Sequence, residues 1–187
     1  MSQWFVCFLV YSFLGYGLEK LHARLSHSPK QVRKCFLLLP LCPVYGLAMT
    51  ALLALAPERI GFFPLMILGG IICTGTEYLV HLFYDKALGV WFWDYRPMRG
   101  HVQGRICPQF ALIWGLLSAA AVRLIHPLVQ ALAGAAPPWA VFLLWVVLAA
   151  DCVLSWSLLR RYGDTELLSV RALLAQSRAV NQSNTSL

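Results

Sequence analysis

Charge is what this 187-residue chain has least of: only 12% of its residues are charged, against about 25% in ordinary soluble proteins. With 59% of residues hydrophobic, that scarcity excludes a soluble fold, which could not cover so much apolar surface. Acids are rarer still, with 8 Asp and Glu against 15 Lys and Arg. Several motifs are missing too. Six cysteines (Cys7, Cys35, Cys42, Cys73, Cys107 and Cys152) form no CxxC pair, so neither a disulfide framework nor a zinc motif is read. Within apolar runs a cysteine behaves as a small hydrophobe. No GxxxxGK[ST] loop is present, which excludes the ATPase role for this chain. The first hydrophobic stretch has no basic start and no small-residue cleavage site, so it reads as a span and not as a removable signal peptide.

What is there is apolar sequence in runs that reach the ~20 residues a membrane helix needs. The pattern predicts an all-α, polytopic bundle of about five transmembrane helices in the cell membrane. The spans fall at about 3–25, 36–56, 62–85, 107–129 and 139–159, with Pro57, Gly61, Gly100, Gly104, Gly134, Pro137 and Pro138 punctuating the connections. Residues 1–160 then form the membrane domain and 161–187 a tail. Lys20, Arg24, Lys30, Arg33 and Lys34 cluster about the first connection. Lys86, Arg96, Arg99 and Arg105 follow the third span, and Arg160, Arg161, Arg171 and Arg178 lie at and beyond the end of the fifth. Only Arg59 and Arg123 fall on the other side, so the amino terminus is predicted outside and the tail in the cytoplasm. The +7 net charge thus expresses topology and attraction to anionic headgroups; no soluble basic face exists for nucleic acid. In the tail, Leu167, Val170, Leu173 and Leu174 have helical spacing, which suggests a surface helix or a weakly ordered segment before a disordered end.

Three acids fall inside spans, where acids are costly and mark function by default: Glu19, Glu77 and Asp151. Each sits six to eight residues before the inner end of its span, on the order of 10 Å from the cytoplasmic interface. His22 and His81 share a helix face with Glu19 and Glu77, a weak metal signal beside the plainer reading of interfacial histidines. No other cofactor is indicated. The chain also repeats itself. GYGLEKL and CTGTEYL each place an acid two residues after glycine, at Gly17 and Gly75. LCPVYG and ICPQFALIWG then each open a helix with Cys-Pro and an aromatic. Both halves share one orientation, so the repeat would be parallel, about an axis along the bilayer normal. The connector WFWDYRPMRGHVQGRICP, Trp91 to Pro108, puts four aromatics at the headgroup level. Asp94 and Arg105 in it are candidates to fold back, with Arg105 pairing Glu19 or Glu77 or gripping a phosphate. The alternative is an interfacial loop without a ligand.

YSFLGYGLE, LCPVYG, TEYLV, WFWDY and GRIC, in this order over about Tyr11 to Val129, resemble the ABC-transporter type IV (CmpB-like) family of small bacterial membrane proteins. The resemblance implies that Gly15, Glu19, Pro43, Tyr45, Gly46, Glu77, Trp93, Asp94, Tyr95, Gly104 and Arg105 are family positions. Glu19, Tyr45, Glu77, Asp94 and Arg105 are the candidates for a ligand or ion pocket. Gly15, Pro43, Gly46, Trp93, Tyr95, Gly104 and Asp151 are structural candidates. HVQGRI departs from the family's asparagine-containing run, and His22 and His81 lie outside its pattern. Three functions stay open: a permease or transport-related subunit with a polar cytoplasmic pocket, a membrane enzyme acting on a lipid or isoprenoid headgroup, and a non-catalytic membrane partner. The first calls for a separate nucleotide-binding subunit or self-association, besides the lipid bilayer. The second has no GxSxG nucleophile in its favour.

Overall fold

The computed structural model describes residues 2–25 and 35–168. These form five α-helices and no strands: α1 Ser2–Leu25, α2 Pro43–Leu55, α3 Phe62–Leu88, α4 Pro108–Ala135 and α5 Pro138–Tyr162. Proline and glycine set the boundaries. Pro43, Pro108 and Pro138 open their helices in the first turn, where a missing N–H costs nothing. Pro57 and Pro137 hold the residues before them, Ala56 and Ala136, in extended conformations that end α2 and α4. Gly89 and Gly163 close α3 and α5 in the left-handed region. All the helices but α2 are long and apolar enough to cross a membrane. Of the expected tail helix, the turn Thr165–Leu168 is seen and the rest lies outside the described residues, as do Lys30, Arg33 and Lys34.

The fourth span runs further than the expected 107–129, and it contains a π turn at Ala121–Ile125, where the His126 N–H donates to the Ala121 carbonyl. Pro127 supplies the reason. It has no N–H for the Arg123 carbonyl and its ring crowds that group, so the helix widens by one residue and continues.

The second span differs more. Expected as helix over about 36–56, it is helical only over Pro43–Leu55. Thirteen residues rise about 20 Å, short of the ~30 Å hydrocarbon core. Cys35–Cys42 leads into it as irregular backbone, with Cys35, Leu37 and Cys42 buried. Pro40 and Pro43 deny this stretch two of the donors that a helix would need. Irregular backbone inside a membrane bundle must find partners elsewhere, and α5 supplies them. The buried Asp151 carboxylate accepts from the N–H of Leu38 (3.1 Å) and of Leu39 (3.0 Å). Ser155 Oγ accepts from Leu38 N–H as well (3.2 Å) and donates to Asp151 (3.3 Å). The Cys42 N–H donates to the Ser12 carbonyl on α1 (2.8 Å). Asp151 is thus a side-chain cap for a broken helix.

Helices α1 and α2 form one hairpin, α3 and α4 a second, and α2 packs on α3 to join them. Small residues let the backbones approach, as in membrane bundles generally. Gly46 faces Phe8 and Ser12, Gly15 lies under the Tyr45 ring, and Gly115 faces the Met66 carbonyl and Gly70. A methyl at Gly115 would sit 2.5 Å from the Met66 oxygen, which is backbone and cannot yield. Gly115→Ala is therefore expected to cost about 1–3 kcal/mol and to lower the melting temperature in detergent. Gly75→Ala, with no atom within 4 Å of the added carbon, should leave it unchanged. Asp151→Ala takes the carboxylate acceptor from the Leu38 and Leu39 N–H groups and leaves only Ser155 Oγ for Leu38, a cost of about 1–3 kcal/mol, so it should melt below both wild type and Ser155→Ala. Equal melting temperatures would refute the capping role.

Candidate functional site

Glu19 on α1 and Glu77 on α3 line one cavity of about 470 Å³, inside the range of small-molecule sites. Its walls are mostly apolar, so each carboxylate needs donors, and aromatic side chains provide them. Tyr45 on α2 donates its hydroxyl to Glu19 Oε1 (2.7 Å). Tyr95, from the connector between α3 and α4, donates to Glu77 Oε1 (2.7 Å), and Trp114 on α4 donates its indole N–H to Glu77 Oε2 (3.1 Å). Tyr45 and Trp114 meet edge to face with centroids 5.6 Å apart. Glu19, Tyr45, Trp114, Glu77 and Tyr95 therefore form one unbroken chain of contacts across both hairpins. Burial, and then the neighbouring Glu77 carboxylate, push the Tyr95 hydroxyl pKa up, which keeps it protonated and a donor.

The two hairpins make parallel contacts, but in a register shifted from that of the sequence repeat. The Cys-Pro openings do correspond, with Cys42 and Cys107 as extended N-caps and Pro43 and Pro108 beginning the helices. Counting from them pairs Tyr45 with Phe110. In contact terms the partner of Tyr45–Gly46 is Trp114–Gly115, one turn further on. Each aromatic donates to an acid, and each following glycine faces the residue seven before that acid, Ser12 or Gly70. The Gly-x-Glu glycines Gly17 and Gly75 pack against nothing within 4 Å.

The connector lies at the end of the cavity where Glu19 and Glu77 sit, and lends it Trp93 and Tyr95. It is held by Asp85, near the end of α3. Asp85 Oδ1 accepts from the Trp91 indole N–H (2.7 Å), and Oδ2 is paired with buried Arg105 (2.6 Å). Arg105 also donates to Gln103, lies 5.7 Å from the Tyr78 ring centroid, and accepts the Trp93 indole N–H at its carbonyl (3.0 Å). The expected pairing of Arg105 with Glu19 or Glu77 is thereby corrected: the guanidinium is committed to Asp85, and Arg105 is not among the cavity's lining residues. Asp94 also stays off the cavity. It pairs with Arg96 in solvent (2.6 Å), and the Arg96 hydrogen bonds hold its carboxyl below the usual range. Gly104, at φ 72°, sits against Arg96 and Asp94, where a Cβ would find neither a relaxed backbone nor room.

Of the pocket candidates, Glu19, Tyr45 and Glu77 line the cavity, and so do Gly15, Trp93 and Tyr95 from the structural candidates. Pro43 and Gly46 build α2, and Asp151 serves the irregular segment instead. His22 is exposed on α1. His81 is buried between Trp91 and Trp93, and its Nε2 donates to the Trp93 carbonyl (3.1 Å). Among the described residues no three His, Cys, Asp or Glu side chains gather to hold a metal. Trp114 and Asp85 are the participants that sequence reasoning missed. The Trp-Gly echo of Tyr-Gly was the available signal for Trp114. Asp85, at the end of its span, looked like any interfacial acid.

The model of the family described as "Putative ABC-transporter type IV" matches residues 6–156, which takes in most of α5 as well as the motif-bearing region. No curated protein and no solved structure matches the chain. On the geometry of the connector, Asp85→Asn takes from the buried Arg105 guanidinium its paired charge and loosens the connector. Limited trypsinolysis of the solubilised protein should then cut sooner at the exposed Arg99, whereas Asp94→Asn should change the rate little.

Proposed function

The chain belongs to the ABC-transporter type IV family, and from that membership we propose that it is a multi-pass subunit of a transport system in the cell membrane. Its cavity takes a cation, a proton or a basic group of the transported molecule, at the cytoplasmic side. One observation carries this reading: two carboxylates from different helices line a single apolar cavity, each oriented by aromatic donors. Acids in such surroundings favour a positively charged guest or a proton. The basic connections and tail support the cytoplasmic assignment. A P-loop is absent from the sequence, so any ATP-driven step belongs to a separate nucleotide-binding subunit. The commitment of Arg105 to Asp85 weighs against the headgroup-enzyme reading, which would use it as a phosphate clamp.

The test separates transport from mere structural bonding. Cells producing equal amounts of wild type and of the Glu19→Gln/Glu77→Gln variant are compared for accumulation of ethidium, a permeant cation whose fluorescence reports its entry. Wild type should shift the rate several-fold relative to the variant, while the two purified proteins melt within a few degrees of each other. Unchanged accumulation together with a collapsed melting temperature would mean that the carboxylates serve only to hold the bundle together.

A further inference from the structure

The cavity has an open side. Helix α1 packs on α2 and on the half of α4 beyond the π turn, while the first half of α4 packs on α3. Between α1 and α4 runs a groove, lined by Leu14, Leu18 and Leu21 of α1 and by Leu117, Leu124 and Ile125 of α4. All six are also among the exposed large hydrophobics, Leu18 at 40% and Leu124 at 74%. In a membrane, that surface faces lipid. The π turn contributes the far wall, since Ala121, Leu124 and Ile125 lie within it.

Polarity is graded along the groove. Glu19, Glu77, Tyr45 and Tyr95 lie at the connector end. Eight residues back along α1, about 12 Å, the walls are Tyr11, Leu14 and Met49. Tyr11 is 3% exposed, and its hydroxyl has no hydrogen-bond partner among the described residues. A buried hydroxyl without a partner is unfavourable, so it adds a second, independent polar contact point for a guest in the same cavity.

From this we infer that the guest is a membrane amphiphile with a cationic, ammonium-type headgroup, and that it enters sideways from the bilayer between α1 and α4. The headgroup meets Glu19 and Glu77 at the interface level, and the hydrocarbon tail lies along Leu14, Leu18 and Leu117 toward the bilayer centre. Charge complementarity selects the head. The apolar rim, continuous with the lipid-facing surface, selects the tail: a small hydrated cation would gain nothing from it. This rests on the reading of the cavity as the transport site, and it adds the ligand's class and its route of entry.

Purified full-length protein in dodecyl maltoside micelles is titrated with dodecyltrimethylammonium, tetramethylammonium and dodecyl phosphate, and binding is followed by tryptophan fluorescence, since Trp93 and Trp114 line the cavity. Dodecyltrimethylammonium is expected to saturate the change at least tenfold more tightly than tetramethylammonium, and dodecyl phosphate to give no saturable change. Glu19→Gln/Glu77→Gln should weaken the tailed cation at least tenfold. Leu18→Trp, which fills the groove and leaves the carboxylates, should weaken the tailed cation alone. Equal affinity for the two cations, lost in the double variant, overturns the lateral route and the tail but leaves the cation pocket standing. Binding of both cations unaffected by the double variant, or of neither, overturns the cation pocket as well. Preferential binding of dodecyl phosphate reverses the assigned charge and overturns the proposal.

Discussion

A carboxylate inside an apolar bundle must be met by donors, because water is not there to meet it. In this protein that requirement links everything else. Glu19 and Glu77 come from separate hairpins, and their donors come from α2, α4 and the connector. Satisfying both acids therefore brings four helices and one loop to a common point. The Tyr45–Trp114 contact closes the chain between the halves. The glycines beside the aromatics serve the same end, since the rings reach their acids only if the helix backbones approach closely there.

The two hairpins solve one problem in two ways. In the first, a tyrosine three residues after the N-cap cysteine reaches its acid directly. In the second, the tryptophan lies one turn further along, and Tyr95 descends from the connector to take the remaining oxygen. Breaks in the helices make room for this. Pro40 and Pro43 shorten α2 and leave backbone donors for Asp151 and Ser155. Pro127 widens α4 at the π turn beside the cavity. The departures from repetition hold the cavity and its open side.

Charge in the connector is sorted by depth. Asp94 and Arg96 pair in solvent, where such a pair contributes little. Asp85 pairs with the buried Arg105 beside Trp91 and Tyr78, where loss of Asp85 leaves the guanidinium without its paired charge. That pair and the Asp85–Trp91 hydrogen bond tie down the connector that carries Tyr95 to Glu77. Arg105, buried near the cavity, is engaged with Asp85 and does not line it.

Much of this was legible in one dimension. Low charge and apolar runs dictate a membrane helix bundle, because hydrocarbon tolerates little else, and proline and glycine mark the connections from α2 to α3 and from α4 to α5. Acids within spans point to Glu19, Glu77 and Asp151 because charge at that depth needs a reason. Their separate roles were not legible. Which donor meets a carboxylate depends on crossing angles and side-chain reach, which spacing along the chain does not encode. For that reason Asp151, equal in depth to the other two by sequence, caps a broken helix, while Arg105 turns to Asp85 and Asp94 stays in solvent. The one-turn offset of Trp114 has the same cause. Local sequence determines where a helix starts, but the tertiary packing of α3 against α4 decides which of its residues reaches Glu77.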